Sequence, residues 1–311
     1  MKSTISRRRF VTISAAACGT AVFGRFATAL PLTQWRGTAL GAAASIRLRH
    51  PEASRIIAAA RAEIDRLENI FSLYRADSQL SKLNQNRRLD HAAFELLELL
   101  GLCGSLNAAT GGRFDPSVQP LWTLYAETYS TGSAPTRGQI DDTLRRVGWG
   151  HVVVDSGAVS FARPGMALTL NGIAQGFIAD KVAGLLQAEG LRDVLVETGE
   201  FRAVGGHPDG GGWPVALRGG AGNAADQRLQ LQDMALATSA VSGTVFDRAA
   251  LVGHILDPVT GQPAPARWSH VSVLAPSAAL ADGLSTAMCL MSAEEIERVV
   301  AAFANARAIY G

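Results

Sequence analysis

Two periodicities run through the chain. Ile56, Ile57, Ala60, Ile64, Leu67 and Phe71 recur at spacings of three and four, which predicts an amphipathic helix over 51–71. A Leu-rich stretch predicts a second helix over 92–108 that stops at Gly111-Gly112. Thr, Ser, Gly and Pro mark 128–138 as a loop, followed by a short helix over 139–147. Further helices are predicted over 175–188, ended by Gly190, and over 277–290. A last one opens at Ser292 with Glu295 three residues on, the capping-box spacing. Period-two alternation predicts strands at 45–49, 194–197, 201–204 and 213–217, a hairpin of 152–155 and 158–162 around Ser156-Gly157, and a short strand at 168–170 running into Asn171-Gly172. Strands and helices mix without regular βαβ alternation, so an α+β fold is expected rather than a doubly wound sheet.

With 311 residues, 48% hydrophobic and 18% charged, the chain can bury a large core and is not of disordered composition. No run of about 18 apolar residues predicts a membrane span. The net charge of +2 hides an asymmetry: Lys2, Arg7, Arg8, Arg9 and Arg25 put +5 on residues 1–29, leaving −3 for residues 30–311. A nucleic-acid role thus loses its support. The basic leader reads as an export signal. Ser6-Arg7-Arg8-Arg9-Phe10-Val11 fits the twin-arginine pattern, an apolar stretch follows over 10–24, and Ala27-Thr28-Ala29 offers a small-residue cleavage site. The expectation is a periplasmic protein whose mature domain spans 30–311. Cys18 lacks the preceding Leu of a lipidation signal. Cys103 and Cys289 sit in apolar runs, as buried thiols do.

Common nucleotide and hydrolase signatures (GxGxxG, GxxxxGK[ST], HExxH, GxSxG) are absent. Four segments carry candidate chemistry, and each alone has an equally physical structural explanation. Residues 71–84 read as a helix end and polar loop bearing Tyr74, a ring able to pack a core or stack on another ring. Gly111-Gly112-Arg113-Phe114-Asp115-Pro116 combines permissive backbone with a carboxylate held extended before proline. Residues 168–177 lead from a strand through a small-residue turn to a helix N-terminus, which suits a phosphate. In the fourth, His254 precedes Asp257-Pro258, and Asp282 and Thr286 lie four apart, on one helical face. A carboxylate and a hydroxyl, completed by carbonyls and water, suit Mg²⁺ rather than a softer metal. The structural alternative has Asp282 near its helix start, serving the macrodipole.

Taken in order, the segments YRADSQLSKLN, GGRFDPSVQPL, LNGIAQGFIADKVAGLL, ATSAV, HILDPVTGQP and ADGLSTA resemble the ApbE family of FAD:protein FMN transferases over about residues 37–291. The leader and the Asn-Gly-Ile-Ala-Gln-Gly form are also similar to the NosX-like branch, which serves nitrous-oxide reductase maturation. The resemblance implies a two-lobed α+β fold with the ligand cleft between the lobes. It implies Mg²⁺ held by Asp282, Thr286 and the main-chain oxygen of Gly172. FAD, the substrate, would be contacted by Leu40, Tyr74, Arg113, Phe114, Asp115, Thr169, Gln175 and Ile255, with His254 and Asp257 beside the reacting phosphate. FMN would pass to a Thr or Ser hydroxyl of an acceptor flavoprotein of the membrane or periplasm, releasing AMP.

The chain departs from that family pattern in four places. Gln175 stands where a Lys is common and Thr169 where an Asp is; Thr198-Gly199-Glu200 replaces Gly-Gly-Asp, and Leu40-Gly41-Ala42 replaces Met-Gly-Thr. Losing a cation and a carboxylate together preserves local charge. It also leaves two rivals open: a non-catalytic FAD carrier, and a pyrophosphatase giving FMN and AMP.

Overall fold

The computed structural model describes residues 30–217, 227–247 and 252–311. The expected export leader, Cys18 and Gly219-Gly220 lie outside the described residues.

The chain opens with a hairpin of β1 (Thr33–Ala39) and β2 (Ala42–Leu48), followed by α1 (Ala53–Phe71), α2 (Gln79–Asn86), β3 (Arg88–Asp90) and α3 (Phe94–Ala109). Next come α4 (Gln119–Ser130), α5 (Arg137–Leu144), β4 (Val152–Val154), β5 (Ala158–Phe161) and α6 (Ala174–Ala188). β6 (Val194–Glu197), β7 (Phe201–Val204), β8 (Trp213–Leu217), β9 (Gln227–Leu231) and β10 (Ala235–Ser239) follow. The chain closes with β11 (Val271–Ala275), α7 (Ala278–Met288), α8 (Ala293–Ala301) and β12 (Arg307–Tyr310).

Among the described residues, seven strands form one sheet in the order β1-β2-β6-β7-β10-β11-β12, every neighbouring pair antiparallel. The α+β expectation holds. The central strands are buried on both faces, so they read as nearly continuous apolar runs. Val194 and Val196 of β6, Ala235 and Ala237 of β10, and Val271 and Val273 of β11 face the main core, which α1, α6 and α7 complete. The alternate residues Leu195, Phe201, Ala203 and Leu236 face the other way, where the β8–β9 hairpin covers them with Trp213, Val215, Leu217 and Leu231. A smaller lobe, α4 and α5 with Leu256, packs Leu121, Tyr125, Ile140 and Val147 into its own core.

Three local expectations need correction. Residues 168–170 form no strand, because both main-chain groups of Leu168 are held by the Asn84 amide, at 2.8 and 2.9 Å, rather than by a neighbouring strand. The polar segment after Tyr74 is mostly helix α2: Ser78 caps it by accepting from the Ser81 N–H at 3.0 Å, and Leu80 and Leu83 are buried. The loop expected over 128–138 is shorter, since α4 runs to Ser130 and α5 starts at Arg137 behind a Thr136–Gln139 capping box. The Ser292–Glu295 capping box forms as the spacing indicates. Cys103 and Cys289 are both buried free thiols.

Candidate active site at one end of the sheet

Register places the candidate residues together. The Leu40-Gly41 turn closes the β1–β2 hairpin beyond the Ala39–Ala42 pair. Glu197 pairs with Ser45 and with Phe201, so the Thr198-Gly199-Glu200 turn lies at the same end. Ser239 at the end of β10 pairs with Val271 at the start of β11, again at that end.

Helices α6 and α7 build the centre of the site by running antiparallel in close contact. Each contributes a row spaced by four residues: Gly172, Gly176 and Asp180 along the α6 segment, Ala278, Asp282 and Thr286 along α7. Gly176 has to be glycine, because a Cβ there would run into the Ala278 carbonyl. Its N–H donates to Asp282 Oδ2 at 3.1 Å. A Cβ on Gly172 would lie only 3.0 Å from Thr286 Oγ1, so main chain and hydroxyl face each other directly. The Ser239 and Thr286 hydroxyls are 3.3 Å apart. Gly172, Asp282 and Thr286 therefore share one location.

Asp282 serves a different helix from the one its sequence position suggests. It is the fifth residue of α7, beyond the first turn, and it serves the N-terminus of α6 instead. The N-terminus of α7 is held by Asp180, which accepts from the Ser277 hydroxyl (2.8 Å) and the Ala278 and Ala279 N–H groups (both 2.9 Å).

The centre is strongly acidic. Asp282 is only 4% exposed. Burial and the charge of Asp180 push it up to about 7, against the Gly176 N–H. Glu200, 8% exposed, accepts from the Thr238 N–H at 3.0 Å. Burial, then the Asp282 charge, holds it well above the usual carboxylate range. Gln175 brings no charge. Its side-chain amide lies against Gly199, where a Cβ would collide with it, and its main-chain carbonyl accepts from the Thr198 hydroxyl at 2.8 Å. Arg202 is turned to Asp180 at 3.3 Å.

The other candidates have partners of their own. Leu40, in a left-handed conformation (φ +46°), donates its N–H to Glu68 Oε1 at 2.6 Å. Glu68 also pairs with Arg75. Leu40, Gly41, Glu68, Ser72, Tyr74 and Arg75 line a hollow of about 330 Å³, and the Tyr74 ring stands 67% exposed at it. Arg113 Nη1 binds Asp257 Oδ2 at 2.6 Å, joining the second and fourth segments. Asp257 Oδ1 accepts from the Val259 N–H at 2.8 Å and fixes the turn after it. Phe114 is buried, with its ring edge against α7 at Gly283. The Asp115 oxygens are taken by the Ser117 N–H and hydroxyl and by the Trp149 N–H, so this carboxylate holds a turn. The Thr169 N–H donates to the Pro116 carbonyl at 2.8 Å, and its hydroxyl accepts from the Asn171 N–H at 3.2 Å. Ile255 is buried, its carbonyl accepting from the Ala264 N–H at 2.8 Å.

His254 Nδ1 lies 3.0 Å from the Thr244 carbonyl, which can only accept. The neutral ring therefore carries its proton on Nδ1 and a lone pair on Nε2. Burial lowers its pKa, while the Thr244 and Val241 carbonyls oppose the shift. Next to it, Gly253 packs so tightly on the Val241 carbonyl that a side chain would not fit; Val241 is two residues past Ser239. The sequence singled out no role for Asp180, Glu200, Ser239 or Glu68; only the matched four-residue spacing of 172, 176 and 180 with 278, 282 and 286 could have signalled the helix pair.

The chain is similar to several known proteins. A model of the ApbE family matches residues 40–310. A Vibrio cholerae protein named FAD:protein FMN transferase is 32% identical over 247 residues, covering 75% of this chain and 73% of that protein. One of the same name from Haemophilus influenzae is 28% identical over 239 residues, covering 72% and 69%. The Pseudomonas stutzeri flavinyl transferase ApbE, in its apo form, superposes with a TM-score of 0.79 at 26% identity over 90% of each chain. The ApbE protein of Thermotoga maritima gives 0.81 at 26% identity, over 90% of this chain and 94% of that one.

Proposed function

The chain belongs to the ApbE family, and from that premise we propose that it is an FAD:protein FMN transferase using Mg²⁺. The observation that carries the reading is the meeting of half-buried Gly172 and Thr286 with the buried carboxylate of Asp282. A dinucleotide pyrophosphate brought beside Asp282 meets like charge once that carboxylate is ionised, and Gln175 supplies no cation to offset it. One carboxylate, one hydroxyl and one main-chain carbonyl are hard oxygen donors that suit Mg²⁺. Among the described residues no group of three or more His, Cys, Asp or Glu side chains is placed to hold a metal. Phosphate oxygens and water would therefore complete the shell. When bound there, the ion would offset the acidic charge and polarise the pyrophosphate.

The chain's own residues do the rest. Tyr74 offers its exposed ring to a flavin or adenine plane at the Leu40 hollow. Arg113 and Asp257 tie the Gly111–Pro116 turn to the 254–261 segment and so fix the approach to the phosphates. His254 Nε2 takes the proton of the acceptor hydroxyl as its oxygen bonds to the FMN phosphorus, and the P–O bond to AMP breaks. The twin-arginine leader places the reaction outside the cytoplasm, with a flavoprotein of the membrane or periplasm as acceptor. The similarity to the NosX-like branch points to nitrous-oxide reductase maturation.

The test incubates the full chain with FAD, Mg²⁺ and an acceptor domain presenting a Thr. Flavin fluorescence that stays with the acceptor on a denaturing gel supports transfer. AMP and FMN without labelled acceptor make the protein a pyrophosphatase, and unconsumed FAD makes it a carrier.

A further inference from the structure

The matched rows on α6 and α7 have two ends. At one end lie Gly172 and Thr286; at the other, Asp180 grips the first turn of α7. Between them the Gly176 N–H donates to Asp282. The exchange is reciprocal, because each helix supplies the acid that serves the other's N-terminus. Such a pairing fixes sliding as well as distance: moving α7 by one residue, about 1.5 Å, would break all three Asp180 bonds and separate Thr286 from Gly172.

We propose that Asp180 is a positioning residue for the metal ligands, holding α7 in the register at which Asp282 and Thr286 meet the Gly172 main chain. The proposal rests on the Mg²⁺ reading of that trio. Asp180 makes no hydrogen bond to the trio, although Asp282 feels its charge. Its reach is through the helix, which is rigid over the four residues from Ala278 to Asp282 and the four more to Thr286. Two features separate this role from ordinary capping. Asp180 sits in the interior of α6, seven residues in, so it ties two helices together rather than ending its own. Arg202 of β7, at 3.3 Å, also orients it and links the register to the sheet.

Asp180→Asn keeps the shape but replaces one oxygen by an NH₂ that faces donors, so it loosens α7 without emptying the space. Mg²⁺ binding by the full chain is measured calorimetrically without FAD, beside Thr136→Ala, which removes the cap of α5 in the small lobe. The expected result is a loss of Mg²⁺ affinity of about tenfold or more for Asp180→Asn, and none for Thr136→Ala, though both lose thermal stability. Because Asp180→Asn also removes a charge felt by Asp282, it is measured beside Ser277→Ala, which keeps every charge. Ser277→Ala removes one of the three Asp180 bonds together with the hydroxyl that accepts from the Leu280 N–H, and is expected to weaken Mg²⁺ two- to fivefold, as fits a neutral donor. Folded variants that bind Mg²⁺ as the unsubstituted chain does would overturn the proposal alone. An unsubstituted chain that binds no Mg²⁺ removes the reading of the site, and the proposal with it.

Discussion

Asp282 is a residue whose charge works against the fold, and Asp282→Asn exposes this. Burial and Asp180 raise its pKa from an ordinary 3.8 to about 7. An acid raised on folding contributes stability that is present below the unfolded pKa and lost as pH rises to the folded one. For a shift of about three units the loss is complete above pH 7 and amounts to about 4 kcal/mol at most, at about 1.4 kcal/mol per unit. Asparagine keeps an acceptor for the Gly176 N–H, which donates to Oδ2 at 3.1 Å, and carries no charge to bury. The metal-free variant is thus expected to be more stable than the unsubstituted chain at pH 8. Its advantage should grow by about 2–3 kcal/mol between pH 5 and pH 8, then level off. Urea unfolding at a series of pH values, in the presence of a chelator, reads this directly. The same variant should lose Mg²⁺ binding. A variant that is less stable than the parent at pH 8, or whose difference from it does not change with pH, would refute the argument that a costly buried charge is kept for a cation.

Three further outcomes follow from the same geometry. Because a proton competes with the metal for Asp282, the Mg²⁺ affinity of the unsubstituted chain should be about tenfold weaker at pH 6 than at pH 8, by calorimetry in non-coordinating buffers. Gly176→Ala puts a methyl into the Ala278 carbonyl and should cost about 1–3 kcal/mol in urea unfolding; a neutral result would contradict the close α6–α7 approach. Tyr74→Ala, at a ring 67% exposed, should leave stability within about 0.5 kcal/mol while FAD binding, followed by flavin fluorescence, weakens several-fold.

Much of the fold is readable from the residues because burial leaves a clear imprint. β6 and β7 are buried on both faces and appear as Val194–Glu197 and Phe201–Val204 with the boundaries the pattern indicates. α1 is one-sided and follows its Ile and Leu spacing. What the pattern misses is structure held by particular polar contacts. α2 is short and polar overall and is capped by Ser78; Leu168 lies in no strand, its main-chain groups being held by one distant amide. The β8–β9 hairpin packs on the far face of the sheet through Trp213, a pairing that local periodicity does not encode.

The site follows the same division. Asp282 and Thr286 stand four apart on one helix, so their common face is legible from spacing alone. Gly172, more than a hundred residues earlier, joins them only through the tertiary contact of α6 with α7. The pairing of Arg113 with Asp257 is likewise a matter of the fold. Asp115 shows the opposite case: its place in the motif suggests a ligand contact, and the structure commits both its oxygens to the turn around Ser117 and Trp149.

The central claim is a divalent ion held by Gly172, Asp282 and Thr286 against the pyrophosphate of FAD. The most direct measurement is an anomalous difference map from a crystal of the chain soaked with FAD and Mn²⁺ in place of Mg²⁺. The account predicts one strong peak within coordination distance of the Gly172 carbonyl, an Asp282 carboxylate oxygen and Thr286 Oγ1, with phosphate oxygens on its open side. A peak elsewhere, or bound FAD with no metal at this trio, would contradict it.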